Sequence, residues 1–300
     1  NSSATSLIPV DVFGLSNGTA SVSAGFMHTC ALLDTGAVKC WGFNYDGELG
    51  NNTYIDSHVP VDVYGLTGGV ISISSKSDHT CALLNTDGLK CWGANDWGQL
   101  GDNSSTDRWV PVPVSGLSSN VIAVSVGSDH TCALNSNHGV LCWGHNEDGE
   151  LGDNSFVNSG VPVGVFGLSS GVNTISSGLS ASCAILNGGG GRCWGHNYYG
   201  NLGNNDDHPS NVPVEVIGFN GYTIDETPPG RVLDLNAHEG VDIGTVKLFW
   251  TASGDDGVSG QAASYTIKYS TSPITNESAW QGATDVSGEP TPKPANQQEQ

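Results

Sequence analysis

The sequence is poor in basic residues. Nine Lys and Arg stand against 30 Asp and Glu, a formal net charge of -21 over 300 residues. Nucleic-acid binders neutralise phosphates with basic patches, and this chain has almost none to offer. The same shortage argues against an anionic membrane surface. Long hydrophobic runs are absent as well. No stretch approaches the ~20 apolar residues of a spanning helix, so membrane insertion is not expected. No secretory leader is visible and the first residue is not Met, which points to a removed leader or an excerpt. Helix signals are nearly absent, while Gly accounts for 42 residues. Short β-prone runs such as "VPVDVYG" and "TIKYS" alternate with Gly, Asn, Asp and Ser clusters, an all-β pattern.

What is present is a repeat. "HTCALLDTGAVKCWG" begins at His28 and returns at His79, His130 and, as "ASCAILNGGGGRCWG", at Ala181. All eight cysteines lie in these four copies, and the first cysteine of each falls 51 residues after the last. "PVxVxG" runs start at Pro9, Pro60, Pro111, Pro162 and Pro213. Each unit holds about four short strands in ~50 residues, the size of one propeller blade. A single such sheet cannot bury its faces, so blades must stack.

The stretch "AGFMHTCALLDTGAVKCWGFNYDGELG" and its three successors resemble the regulator of chromosome condensation repeat in its bacterial, cysteine-bearing form. The resemblance covers roughly residues 1–222 and implies a seven-bladed β-propeller serving as a binding platform. Four hairpins but five "PVxVxG" runs point to part of a longer ring. The alternative, a four-bladed or open array, leaves exposed sheet edges.

The cysteine spacing has a geometric reading. A three-residue loop, Asp34-Thr35-Gly36, places Cys30 opposite Cys40 across a hairpin, at a separation suited to a disulfide. Cys81/Cys91, Cys132/Cys142 and Cys183/Cys193 keep the spacing, although their turns differ and their registers need not agree. Zinc-type and redox C-x-x-C pairs are absent. Such staples persist in an oxidising compartment, so an extracellular or cell-surface setting is expected. Disulfides and a charge of -21 also count against the family's nuclear, exchange-factor role, the weakest alternative.

Four copies in one chain reveal what the scaffold requires. Gly42, Asn44, Gly47 and Leu49 recur in every unit and read as turn and core positions. His28, His79 and His130 recur but Ala181 breaks the series, and "SDHT" occurs twice. An enzyme does not repeat its catalytic group blade after blade, so no catalytic residue is assigned and no activity expected. "NYDGE" and "NEDGE" hint at calcium. An EF-hand loop would need an acid where Gly42 and Gly144 stand, and Glu where Thr53 and Ser155 stand. Calcium remains a minor possibility, and no other cofactor is expected.

Variation between copies is where recognition can reside. Tyr45-Asp46, Asp96-Trp97, Glu147-Asp148 and Tyr198-Tyr199 occupy equivalent places, with Tyr54, Trp109 and Phe156 further on. These acidic and aromatic residues form a candidate patch for a protein partner.

"DETPPG" opens a linker over 223–230. Strand candidates over 231–290 resemble the first half of a fibronectin type III domain, an incomplete β-sandwich, and 291–300 reads as a disordered tail. The first functional reading is a non-catalytic extracellular or cell-surface binding module. The second is the accessory region of an extracellular hydrolase whose catalytic domain lies elsewhere.

Overall fold

The computed structural model describes residues 6–218 continuously. Beyond them it describes five short strands, Asn236–Glu239, Val246–Thr251, Lys268–Tyr269, Thr284–Asp285 and Gln298–Glu299. Contacts divide the chain into two units, Asn1–Gly221 and Tyr222–Gln300.

The first unit contains four four-stranded antiparallel sheets, each a meander in sequence order. Blade 1 comprises β1 (Thr19–Ala24), β2 (His28–Leu33), β3 (Val38–Gly42) and β4 (Ser57–Asp62). Blade 2 comprises β5 (Val70–Lys76), β6 (His79–Leu84), β7 (Leu89–Gly93) and β8 (Arg108–Pro113). Blade 3 comprises β9 (Val121–Val126), β10 (His130–Asn135), β11 (Val140–Gly144) and β12 (Ser159–Gly164). Blade 4 comprises β13 (Val172–Ser177), β14 (Ala181–Leu186), β15 (Gly191–Gly195) and β16 (Ser210–Glu215). The prolines Pro60, Pro111, Pro162 and Pro213 all lie in the fourth strand, at a sheet edge. Proline has no N–H to give to a ladder, and an edge strand leaves one side free of that demand.

The first "PVxVxG" run behaves differently from the others. Residues 8–15, expected to be a strand, join no sheet: residues 13–14 form a turn and residues 9–12 have no regular structure. No hairpin precedes them among the described residues, and a strand needs a partner for its backbone groups. The hairpin registers, left open by the sequence, agree in all four blades. Cys30, Cys81, Cys132 and Cys183 pair directly with Cys40, Cys91, Cys142 and Cys193. The turns differ in sequence but share one left-handed position, held by Gly36, Asp87, His138 and Gly189. The tolerance of Asp and His there keeps the register constant.

The core lies between sheets rather than within one. Leu32, Val38, Leu49, Val63 and Leu66 of blade 1 pack with Ala82 and Trp92 of blade 2. Blade 2 receives Trp143 of blade 3 in the same way, and blade 3 receives Trp194 of blade 4. Each of these indoles is fully buried. At 150–250 Å² per large aromatic, each contributes ~4–6 kcal/mol.

In the second unit, β17 (Asn236–Glu239) pairs antiparallel with β18 (Val246–Thr251), and β19 (Lys268–Tyr269) with β20 (Thr284–Asp285). Within the expected tail, β21 (Gln298–Glu299) pairs with the end of β18 in the register Trp250↔Glu299. The expected linker at 223–230 and most of the expected fibronectin-like region lie outside the described residues. Among the described residues, no helix is long and apolar enough to cross a membrane.

Candidate interaction rim

Every blade joins the next through the same two hydrogen bonds. The first comes from the histidine opening the second strand. His28 Nε2 lies 2.8 Å from Thr80 Oγ1, His79 Nε2 2.9 Å from Thr131 Oγ1, and His130 Nε2 2.8 Å from Ser182 Oγ. Each hydroxyl gives its own proton away: Thr80 to Ser75 Oγ at 2.9 Å, Thr131 to the Gln99 carbonyl at 2.9 Å, Ser182 to Ser177 Oγ at 3.4 Å. The histidine Nε2–H is therefore the donor, which fixes the tautomer. Nδ1 of His28 and His79 is buried with no partner. Burial lowers these histidines to about 4 for His28 and about 3 for His79 and His130. They are neutral at pH 7. In "SDHT", Ser77 Oγ donates to Asp78 Oδ2 at 3.0 Å, while His79 is engaged with the next blade. The three side chains form no proton relay.

The second hydrogen bond comes from the tryptophan. Trp92 Nε1–H donates to the Glu48 carbonyl at 2.9 Å, Trp143 to Gln99 at 2.9 Å, and Trp194 to Glu150 at 2.8 Å. The glycine after each recurring Leu, Gly50, Gly101, Gly152 and Gly203, has a positive φ that glycine alone adopts freely. A further reason is space: a Cβ at Gly50, Gly101 or Gly152 would stand 2.7–2.8 Å from that indole.

The recurring Asn explains the loop that follows. Asn44 is buried, and its Nδ2 donates to the Thr53 and Ile55 carbonyls at 2.9 and 3.1 Å. Its Oδ1 accepts from Leu49 N–H at 2.9 Å. Asn95 and Asn146 make the same set, and Asn197 most of it. An amide thus occupies the centre of the loop and ties its two arms together.

Sequence reasoning missed the residue that directly follows the second recurring glycine, Glu48, Gln99 and Glu150, all buried. One side-chain oxygen of each accepts a loop N–H, from Asp46 at 3.1 Å, Trp97 at 2.9 Å and Asp148 at 3.0 Å. Glu150 Oε1 also meets His145 Nδ1 at 3.0 Å. Glu48 has Phe43 where blade 3 has His145, and its Oε1 has no partner. Burial, with Asp46 and Asp78 nearby, pushes the Glu48 carboxyl up to about 7. A glutamate in a polar loop carries no sequence mark of burial, so no signal pointed to it.

The expected patch residues lie on the loops just outside this frame. Tyr45, Trp97, Tyr198 and Tyr199 are 72%, 42%, 61% and 92% exposed. Asp96 and Glu147 are exposed, and Asp46 and Asp148 half-buried. They line successive blades rather than converging on a single point. Tyr54 packs against Trp109 with ring centroids 5.4 Å apart, and Trp97 meets His145 edge-on at 4.8 Å. On blade 4, His196 lies 4.8 Å from Tyr198 and 6.0 Å from Tyr199. Ala181 takes the histidine place there, beside a cleft of about 590 Å³ lined by Leu179, Cys183, His196 and Tyr199.

All eight cysteines are paired in the structure, with Cα atoms 4.1 Å apart in each hairpin. Asp206, Asp207 and His208 bring potential metal-ligating atoms within 4.8 Å of one another, all exposed. His208 Nδ1 already lies 2.6 Å from Asp206 Oδ1.

Comparison with known proteins matches the repeat. The family model for the regulator of chromosome condensation (RCC1) repeat covers residues 35–83 and 91–134. A second model of the same repeat covers 20–48, 70–99 and 121–150. The RCC1 domain-containing protein RUG3, mitochondrial, of Arabidopsis thaliana is 34% identical over 185 residues, 59% of this chain and 42% of that protein. The human probable E3 ubiquitin-protein ligase HERC4 is 33% identical over 150 residues, 49% of this chain and 14% of that protein. The chain thus spans less than half the length of either relative. The crystal structure of human WBSCR16 has a TM-score of 0.60 at 29% identity, covering 72% of this chain and 55% of that one. Yeast RCC1 (Prp20), solved bound to Kap60, has a TM-score of 0.60 at 21% identity over 69% of this chain and 50% of that one. RCC1 repeats thus match within residues 20–150, and the four sheets of residues 19–215 have the fold of β-propeller blades.

Proposed function

We propose that this chain is a non-catalytic binding module whose loop rim recognises a protein partner outside the cell or on its surface. The observation that carries the reading is a contrast inside the repeat. Positions that join blade to blade are buried and nearly constant, as in Trp92, Trp143 and Trp194. Positions 45–46, 96–97, 147–148 and 198–199 sit on the same loops, vary from blade to blade and expose aromatic rings. Exposed Tyr and Trp on a rigid frame are efficient interface anchors, since little side-chain freedom is lost on binding.

Several observations support the finer points. The buried histidines are neutral and already bonded, which leaves them no catalytic proton to move. Four disulfides suit an oxidising compartment. The plant relative is mitochondrial by name, so the repeat itself fixes no compartment and the cysteines carry that point alone. Yeast RCC1 binds Kap60 in its own crystal, and at 21% identity that likeness carries the fold and no partner. No resident metal or cofactor enters the proposal.

The test is partner capture by chemical crosslinking from the extracellular fraction, comparing the native chain with Y45A/Y198A/Y199A. Loss of a captured protein in the variant supports the rim. Equal capture by both overturns it.

A second reading makes the chain an accessory region of a larger extracellular enzyme. The observation in its favour is that the chain matches only 14% of the HERC4 ligase. A catalytic domain in the same reading frame decides for it.

A further inference from the structure

The grooves between successive blades share one backbone and differ in what fills them. Between blades 1 and 2, Asn52 N–H donates to the Trp109 carbonyl at 2.8 Å. Gly47 leaves room for the Trp109 backbone and indole. Tyr54 closes the groove by packing its ring 5.4 Å from that of Trp109. Two aromatic rings of the chain itself therefore fill this groove.

Between blades 2 and 3 the backbone repeats. Asn103 N–H donates to the Gly160 carbonyl at 2.9 Å, and Gly98 packs against the Gly160 backbone. Ser105 stands where Tyr54 stood, and Gly160 where Trp109 stood. Both rings are missing. A cleft of about 380 Å³ remains, lined by Asp96, Trp97, Asn103, Ser105, Asn158 and Gly160. Trp97 forms its aromatic wall, braced edge-on against His145 at 4.8 Å. Its loop is held from below, where Trp97 N–H donates to Gln99 Oε1 at 2.9 Å. Asp96 is the only ionisable residue of the lining; Arg108, which reaches the lining residue Ser104 at 3.3 Å, is already paired with Asp102 at 2.6 Å.

We propose that this cleft binds an aromatic side chain, Trp or Tyr, of a protein partner in which a Lys or Arg stands beside the aromatic residue. The argument rests on the binding-module reading and gives its partner a chemistry. Trp109 shows what an equivalent groove on the same backbone accepts. Trp97 offers the incoming ring a flat neighbour, and aromatic pairs favour such contact. Asn103, Ser105 and Asn158 can meet an indole N–H or phenol O–H. The Asp96 carboxylate, in a chain of net charge -21, favours a cationic neighbour.

The experiment is 19F NMR of the full chain labelled with 5-fluorotryptophan, with the Trp97 resonance assigned as the line missing from W97F. The probes are the peptides Gly-Lys-Trp-Lys-Gly, Gly-Lys-Ala-Lys-Gly and Gly-Glu-Trp-Glu-Gly. The Trp97 line is expected to shift with the first peptide, with an apparent Kd at least tenfold tighter than for either control. The decisive variant is S105Y/G160W, which rebuilds the filled groove of blades 1 and 2. A Cβ at Gly160 meets nothing closer than 3.6 Å, so the strand admits the new side chain. The shift should vanish in it while the thermal midpoint holds. If that variant does not fold, D96N reads the same site through charge and should weaken the first peptide at least fivefold.

Equal shifts with the Trp and Ala peptides overturn the proposal. So does a shift retained in folded S105Y/G160W, or a response to chitotriose in place of the peptides. The broader reading fails separately. A partner protein captured by the native chain and by S105Y/G160W alike, but lost in Y45A/Y198A/Y199A, removes the cleft and keeps the rim.

Discussion

His79 Nε2 lies 2.9 Å from Thr131 Oγ1, and that hydroxyl passes its proton to the Gln99 carbonyl at 2.9 Å. The imidazole of blade 2 is thereby a donor to blade 3, and both side chains are fully buried. Thr131→Val keeps the shape and removes the acceptor, leaving a buried N–H unmet. The expected loss is ~1–3 kcal/mol of unfolding free energy. Thr131→Ser should cost less than half as much, since Ser182 does the same work for His130 at 2.8 Å. Guanidinium titration of both variants is the measurement. Equal loss in the two would mean that the methyl group matters as much as the hydrogen bond at this interface.

Three buried histidines make the propeller sensitive to acid. Their ordinary value is 6.5, and burial lowers it to about 4 for His28 and about 3 for His79 and His130. Between those values and 6.5 the unfolded chain binds protons that the folded chain refuses. Stability is therefore full above pH 6.5 and falls as pH drops toward 3–4. The thermal midpoint, followed from pH 7 to 4, should fall steadily. His130→Gln, which keeps a side-chain N–H donor, should flatten the curve relative to the native chain. A native profile flat over that range would contradict the burial.

The repeat made much of this architecture readable before any coordinates. A fixed 51-residue period gave the blade and its four strands, and the cysteine spacing gave a pairing within each hairpin while leaving open whether the four registers agree. What stayed hidden are contacts whose partners carry no mark of their own. His28 and Thr80 lie 52 residues apart, and each looks ordinary alone. Trp92 bonds a backbone carbonyl, which any residue at position 48 would supply. The cleft beside Trp97 was equally invisible, because it arises from what Ser105 and Gly160 leave out. The aromatic rim was legible only because four copies could be compared within one chain.

Glu48 should destabilise the fold as pH rises. Its carboxyl sits at about 7 against an ordinary 4.5, so the folded state prefers the proton. The penalty is absent below pH 4.5, grows through the interval and is complete above pH 7. Gln99 shows that the position needs an acceptor oxygen and no charge. Glu48→Gln is expected to raise stability above pH 7 by up to ~3 kcal/mol and to leave it unchanged near pH 4. Glu150→Gln should bring no such gain, because His145 Nδ1 already faces Glu150 Oε1 at 3.0 Å. Denaturant midpoints of both variants at pH 4.5 and 8 test the pair. A gain for Glu48→Gln that is equal at both pH values would assign the effect to packing rather than to charge.

The four disulfides should not be equal toward a reductant. Each joins cysteines separated by 10 residues, so each contributes ~2–3 kcal/mol by restricting the unfolded chain. Their surroundings differ. Trp92, Trp143 and Trp194 of the following blades cover the cores that hold the first three pairs. Cys183 instead borders the cleft beside Leu179 and Tyr199, and Cys193 is the least buried of the second cysteines at 6%. Thiol–disulfide exchange requires a thiolate to reach the sulfur, so access sets the order. Native protein should label at no cysteine before reduction. Limited dithiothreitol followed by alkylation and peptide mass spectrometry should then mark Cys183 and Cys193 first, at least tenfold faster than the other six. Cysteines that label without reductant would remove the staples, and with them the case for an oxidising compartment. Uniform labelling of all eight would show instead that opening of the whole propeller, not exposure at blade 4, governs attack.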